Sequence, residues 1–259
     1  MLDVLGVIPA RWASTRFPGK PLALLLGKPM LQWVWEAARR ARSLDALVVA
    51  TDDERVAEAA RAFGAEVEWT RSDHPSGTDR LAEVSARRPA RILVNIQGDE
   101  PLITAEVVEA AVAPLLADPQ LLCCTPVTRF RDEAELRSPD TAKVALDARG
   151  RALYFSRSVI PFDREGGAPL DTWHKHVGLY VYRAELVARF ATLTSRLEDV
   201  ERLEQLRLLE NGIPVQTVHV DYQPLGVDRP EDVEKAEERL RAAGFAPMAA
   251  APAPDKETP

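Results

Sequence analysis

Val7-Ile8-Pro9-Ala10-Arg11-Trp12-Ala13-Ser14-Thr15-Arg16-Phe17-Pro18-Gly19-Lys20-Pro21 is the stretch from which the rest of the chain is read. Residues 4–8 form an apolar run that reads as a buried first strand, and it stops at Pro9. The next residues carry three cations, Arg11, Arg16 and Lys20, with Ser14, Thr15 and Gly19 between them. Helical spacing resumes only near Met30. A strand running into a basic, flexible loop and then a helix suits phosphate groups, because loop N–H groups and point charges meet the polyanion at the carboxyl edge of a sheet. The plain alternative is a solvated basic loop held by surface salt bridges. Two familiar phosphate loops are excluded. The Walker pattern fails because Gly19 and Gly27 are too far apart and Lys28 is followed by Pro29. The G-x-G-x-x-G dinucleotide fingerprint is absent from this turn.

Working outward, Met30, Leu31, Val34, Trp35 and Ala38 recur at helical spacing and predict a helix over 29–41, with Pro29 in its first turn. Residues 47–50 read as a buried strand, 55–63 as a helix closed by Gly64, and 67–69 as a third strand. Ser76 or Thr78 caps a helix that runs through Arg87. Residues 92–96 form another strand, followed by Gln97-Gly98-Asp99-Glu100-Pro101, and a helix starts at Thr104. Such alternation implies an α/β fold with a parallel sheet and helices on both faces. Loops near 11–20, 71–78 and 97–100 then share one sheet edge, where such folds bind ligands.

After Leu121 the pattern changes. Residues 121–130, 142–147, 152–156 and 176–182 read as strands without intervening helices, an antiparallel insertion over about 121–182 with a mobile loop at 163–171. Helices follow at 184–193 and 200–210, a strand at 213–220, and a last helix at about 231–243 after Gly226-Val227-Asp228-Arg229-Pro230. One domain over 1–245 is expected, with a disordered Ala/Pro-rich tail at 246–259.

Composition narrows the function. Of 259 residues, 33 are Lys or Arg and 40 are Asp or Glu, so the net charge is −7. That argues against broad nucleic-acid binding but leaves room for an anionic substrate held by a local cluster of cations. No apolar run approaches the roughly 20 residues needed to span a bilayer, and the N-terminus has no secretory pattern. The two cysteines, Cys123 and Cys124, are adjacent and read as small buried strand residues, in keeping with a reducing cytoplasm.

Eight segments in order carry a resemblance: IPARWASTRFPGKPL at 8–22, VVATDDERV at 48–56, TRSDHPSGTDRLAEV at 70–84, VNIQGDEPLI at 94–103, ALYFSRSVIPFDR at 152–164, HVGLYVYR at 176–183, LEQLRLLENG at 203–212 and GVDRPEDVE at 226–234. They resemble the sugar nucleotidyltransferases, and within them the cytidylyltransferases that activate 3-deoxy-manno-octulosonate (Kdo). The sialic-acid branch usually has a Gly-Ser-Lys pattern in the first loop, and this chain does not. The resemblance implies a Rossmann-like fold of the nucleotide-diphospho-sugar transferase type. It implies a cytoplasmic, Mg²⁺-dependent homodimer of lipopolysaccharide synthesis that joins CMP from CTP to Kdo and releases diphosphate.

It also assigns roles. Lys20, Asp99 and Asp228 are expected to be catalytic, the two aspartates as metal ligands. Pro9, Ala10, Arg11, Arg16, Lys20, Arg71, Ser76, Gly77, Thr78 and Gln97 are expected to bind the nucleotide. Gln97, Arg157, Arg164, His176, Tyr180, Glu204 and Gln205 are expected to bind the sugar. Asp99 and Asp228 have an alternative as N-caps of the helices that follow them. Two other functions stay open: activation of a related keto-acid sugar such as sialic acid or 8-amino-Kdo, and CTP binding without catalysis.

Overall fold

The structure is a computed structural model that describes residues 1–13, 16–74 and 76–247. Ser14 and Thr15 of the first loop, and most of the tail expected to be disordered, lie outside the described residues.

Four strands run parallel in the order β5-β4-β1-β6: β1, Leu2–Pro9; β4, Ala46–Thr51; β5, Glu66–Trp69; and β6, Ala90–Asn95. A small hairpin, β2 (Leu24–Leu25) and β3 (Lys28–Pro29), follows the first loop. The helices between the strands are α1, Met30–Ala38; α2, Glu54–Ala62; α3, Gly77–Arg87; and α4, Ala105–Ala117. Alternate residues of β1 face opposite layers. Val4 and Ile8 pack with Leu31, Val34 and Val108 from α1 and α4, whereas Leu5 and Val7 pack with Leu81 and Val84 from α3. The period of two therefore places helices on both faces, as the apolar runs require.

The remaining strands belong to the same sheet. These are β7, Cys123–Arg129; β8, Lys143–Leu146; β9, Ala152–Ser156; β10, His174–His176; β11, Tyr180–Arg183; and β12, Gln216–His219. Short helices fill the intervals: α5, Glu133–Arg137; α6, Ala184–Phe190; α7, Arg196–Glu201; α8, Leu206–Glu210; and α9, Asp232–Ala242. Cys123 and Cys124 are free and buried in β7.

Three expectations need correction. The strands expected over 121–182 without intervening helices do have one, since α5 lies between β7 and β8, capped by Asp132, which accepts from Glu135 N at 2.8 Å. The strand expected at 176–182 is two strands, β10 and β11, which share one edge of β7. One joins β7 to β8, and the other joins it to β6, so the sheet forks there. The Val177-Gly178-Leu179 break is held by Thr125. Its hydroxyl lies 2.8 Å from Leu179 O, 3.2 Å from Val177 O and 2.9 Å from His176 Nε2. The helix expected at 200–210 is broken at Arg202, which is left-handed (φ 55°, ψ 44°) and ends α7. This turn brings Leu203, Gln205 and Leu206 into the core instead of continuing one helix face.

Thr125 makes the fork testable. Thr125→Val keeps the shape but leaves the Leu179 carbonyl without its hydroxyl donor, whereas Val177 O still accepts from Leu179 N (2.8 Å), so stability is expected to fall by about 1–3 kcal/mol. An unchanged urea midpoint would show that the break holds without this hydroxyl.

Candidate active site

The first loop is closed by its own packing. Gly19 N donates to Trp12 O (3.0 Å), and Gly19 sits at φ 73° beneath the Trp12 ring, where a Cβ would lie 2.8 Å from the indole. The Arg55 guanidinium covers the Trp12 ring, 3.6 Å from its centroid. Past this turn, Lys20 points across the sheet edge. The loop and the ends of β1, α3 and β6 enclose a cleft of about 320 Å³, lined by Pro9, Ala10, Arg11, Arg16, Lys20, Gly77, Arg80, Gln97 and Asp99 among others. Gly98 crosses close under it, and a Cβ there would lie 3.1 Å from Pro9 O.

Lys20 Nζ donates to Asp99 Oδ2 (2.6 Å) and to Asp228 Oδ1 (3.1 Å), and Arg16 lies 3.1 Å from the same Asp228 oxygen. Burial disfavours the Lys20 charge, but the attraction and hydrogen bonds of Asp99, then Asp228, outweigh it and raise its pKa. Asp228 arrives there through α9. Leu25, Leu26, Met30 and Trp33 of the hairpin and α1 bury Val227, Ala236 and Leu240. Leu26 N donates to Glu237 Oε1 (2.8 Å), and Val227 N donates to Asp99 O (2.9 Å). Neither aspartate caps a helix: Thr104 precedes α4 and Glu231 precedes α9, and Asp232 accepts the N–H of Asp228. The capping alternative therefore falls for both.

A second, larger cavity of about 790 Å³ opens on the other side of these carboxylates. Arg16, Glu100, Arg157, Lys175, His176, Gly178 and Asp228 are among its lining residues. Arg16 lines both cavities, Asp99 the first and Asp228 the second, so the Lys20 ion cluster stands on the wall between them. His176 is half-buried with Nε2 2.9 Å from the Thr125 hydroxyl, and desolvation lowers its pKa to about 3, which favours the neutral ring. Arg157 is held by backbone carbonyls: Nε donates to Glu201 O and Nη1 to Pro139 O, both at 2.8 Å. Among the described residues its Nη2 makes one contact, 3.4 Å to Arg202 O.

The other expected site residues take different places. Ser76 caps α3, accepting from Asp79 N at 3.2 Å. Thr78 is buried and donates to Glu204, whose carboxyl pKa burial raises. Tyr180 donates to Gln205 Oε1 (2.8 Å), and Asn95 Nδ2 reaches Thr78 Oγ1 (3.3 Å). Thr78, Tyr180, Glu204 and Gln205 thus form one largely buried polar layer, and none of the four lines either cavity. Gln205 Nε2 and Asn95 Oδ1 have no partner there among the described residues. Arg71 is exposed and paired with Asp73, and Arg164 is exposed in the loop after β9; neither lines the two cavities.

Sequence reasoning missed four groups. Arg80 is almost fully buried in the floor of the first cleft, paired with Asp52 at 3.0 Å. Glu100 stands beside Asp99, accepts from the Tyr222 hydroxyl (2.9 Å) and has its pKa raised to about 7 by loss of water contact. Lys143 is fully buried and donates to three carbonyls, including Arg157 O at 2.7 Å. Lys175 pairs with Glu135 at 2.6 Å. Arg80 and Glu100 lie inside the recognised segments and were within reach; no local pattern marks Tyr222 or Lys143.

No cluster of three or more His, Cys, Asp or Glu side chains able to hold a metal exists among the described residues. Two carboxylates beside a basic phosphate loop still fit a hard divalent cation, which commonly takes one or two carboxylates, waters and substrate phosphates. No helix among the described residues is long and apolar enough to cross a membrane.

A cytidylyltransferase family model matches residues 5–219. The 3-deoxy-manno-octulosonate cytidylyltransferase of Solibacter usitatus is 52% identical over 241 residues, covering 92% of this chain and 95% of that one. The enzyme of that name from Syntrophotalea carbinolica is 50% identical over 249 residues, covering 93% and 99%. A solved structure of CMP:2-keto-3-deoxy-manno-octonic acid synthetase complexed with CTP superposes with a TM-score of 0.88 at 42% identity, covering 94% of this chain and all of the other. On the family model, these identities and the shared fold, the chain belongs to the cytidylyltransferase family, among the 3-deoxy-manno-octulosonate cytidylyltransferases.

Proposed function

We propose that this chain converts CTP and Kdo to CMP-Kdo and diphosphate. The observation that carries the reading is the position of Lys20, Asp99 and Asp228 on the wall between a basic cleft and a larger polar cavity. The first cavity takes the nucleotide and the second takes the sugar. The anomeric hydroxyl then attacks the α-phosphorus across that wall. A new P–O bond forms to the sugar, the bond to the β-phosphate bridging oxygen breaks, and diphosphate leaves.

Arg11, Arg16 and Lys20 hold the triphosphate, the arginines as forks and Lys20 as a compact charge. Gly77 and Gly98 let backbone approach the nucleotide closely. Asp99 and Asp228 would hold Mg²⁺, which when bound supplies charge neutralisation for the triphosphate and activation of the attacking hydroxyl. Arg157, stiffened by its carbonyl partners, takes the sugar carboxylate. Neutral His176, which lines the larger cavity, serves a sugar hydroxyl. Alignment and charge compensation therefore supply most of the catalysis. A cytoplasmic homodimer belongs to the same proposal. Exposed Leu153 and Phe162 on the antiparallel half offer apolar surface for a second copy.

Three outcomes are expected. CTP should exceed ATP and GTP in kcat/KM by orders of magnitude, because a wrong base leaves buried polar groups unpaired; comparable values in a diphosphate-release assay would overturn the nucleotide assignment. Arg157→Ala should raise KM for Kdo by a factor matching about 1.5–3 kcal/mol, with CTP binding nearly intact. Lost CTP affinity with normal Kdo dependence would move Arg157 to the nucleotide. Asp99→Asn and Asp228→Asn should each lose most of kcat, need far more Mg²⁺ and keep the thermal midpoint of the free protein. A Mg²⁺ titration with an unchanged midpoint and near-normal rate would remove that aspartate from the metal site.

A further inference from the structure

We propose that Lys20 is a resident cation that holds the metal site closed until the nucleotide draws it away, so that the divalent ion binds strongly only together with CTP. The proposal rests on the metal assignment of Asp99 and Asp228 made above. Its own basis is the geometry of the ammonium. Nζ lies 2.6 Å from Asp99 Oδ2 and 3.1 Å from Asp228 Oδ1, between two carboxylates that come from separate segments. The Lys20 side chain is 15% exposed, so solvent screens this contact far less than it screens the neighbouring Arg16–Asp228 pair, where the arginine is 61% exposed.

Two carboxylates brought this close would repel each other without a cation between them. Lys20 offsets one of the two negative charges, with Arg16 3.1 Å from Asp228 as a second and more exposed cation, and occupies carboxylate lone-pair directions that a metal would need. A divalent ion arriving alone must displace the ammonium, and its apparent affinity is reduced by the fraction of time the site is open. A triphosphate changes the balance. It brings about four negative charges into the adjoining cleft, which Lys20 also lines. The ammonium can then exchange its carboxylate oxygens for phosphate oxygens without leaving an ion pair. That movement uncovers Asp99 and Asp228 as the metal arrives with the nucleotide. Lys20 thus serves twice, first as a counter-ion of Asp99 and Asp228 and then as a phosphate ligand. By reciprocity, a metal that displaces Lys20 also raises affinity for the triphosphate.

The test is Mn²⁺ binding to the full chain without nucleotide, read from the electron paramagnetic resonance signal of free Mn²⁺. Wild type, Lys20→Met, Lys20→Gln and Asp99→Asn are compared. Wild type is expected to bind weakly, and both Lys20 variants at least ten-fold more tightly. A second reading needs no variant: acetylation of Lys20 by an amine-reactive reagent, followed by peptide mass spectrometry, should rise several-fold in wild type at saturating Mn²⁺. Equal affinities for wild type and the Lys20 variants, with Asp99→Asn binding lost, would overturn the competition and leave the metal assignment standing. Wild-type Mn²⁺ affinity in Asp99→Asn would overturn both. Lys20 acetylation indifferent to Mn²⁺ would also overturn the competition, whatever the variants do.

Discussion

One ammonium group between two carboxylates joins parts of the chain that are 79 and 208 residues apart. Lys20 comes from the loop after β1, Asp99 from the loop after β6, and Asp228 from the turn before α9. No local propensity brings these together. They meet because the β2–β3 hairpin and α1 offer an apolar surface that α9 covers, with Val227 fully buried in the seam. The Val227 N–H to Asp99 carbonyl bond then fixes the distance between the two carboxylate-bearing segments. A few buried apolar residues thus set the geometry of a polar site, because burial is strong and non-directional while the ion pairs add direction.

The second organising feature is the fork at β7. β11 links the parallel strands to β7, and β10 and β11 divide one edge of β7. Between them the Val177 and Leu179 carbonyls turn to the Thr125 hydroxyl. That leaves Gly178 facing the Gln97–Glu100 turn, where a Cβ would lie 3.4 Å from Glu100 Oε1. The irregularity lies where the larger cavity meets the sheet. Backbone that departs from the ladder needs other partners, and the same departure opens room for a ligand beside the strand ends.

A polar layer inside the protein ties together segments that are distant in sequence. Thr78, from the segment that resembles a nucleotide motif, donates to Glu204, from a segment that resembles a sugar motif. Tyr180 holds Gln205 in the same layer. These contacts restrict the side chains to few arrangements, since buried polar groups are costly unless paired. Two atoms of that layer, Asn95 Oδ1 and Gln205 Nε2, have no partner among the described residues.

Local signals determined the alternating strands and helices of the first half: continuous apolar runs marked β1, β4 and β6, helical spacing marked α1, and caps and closing residues marked α2 and α3. The basic loop after β1 and the acidic turn after β6 were legible for the same reason: strand ends that follow parallel strands must share one edge. The split of 176–182 into two strands and the break at Arg202 were not legible, because both serve partners distant in sequence, Thr125 for one and the core around Leu203 and Leu206 for the other. The sequence left Asp99 and Asp228 between metal binding and helix capping. Only the tertiary structure removed the capping alternative, since it seats other residues at both helix starts and turns the two carboxylates toward Lys20. Hydrophobic spacing specifies which face of each element is buried, but the meeting of charges across the sheet edge depends on how those faces pack, and that is a property of the whole chain.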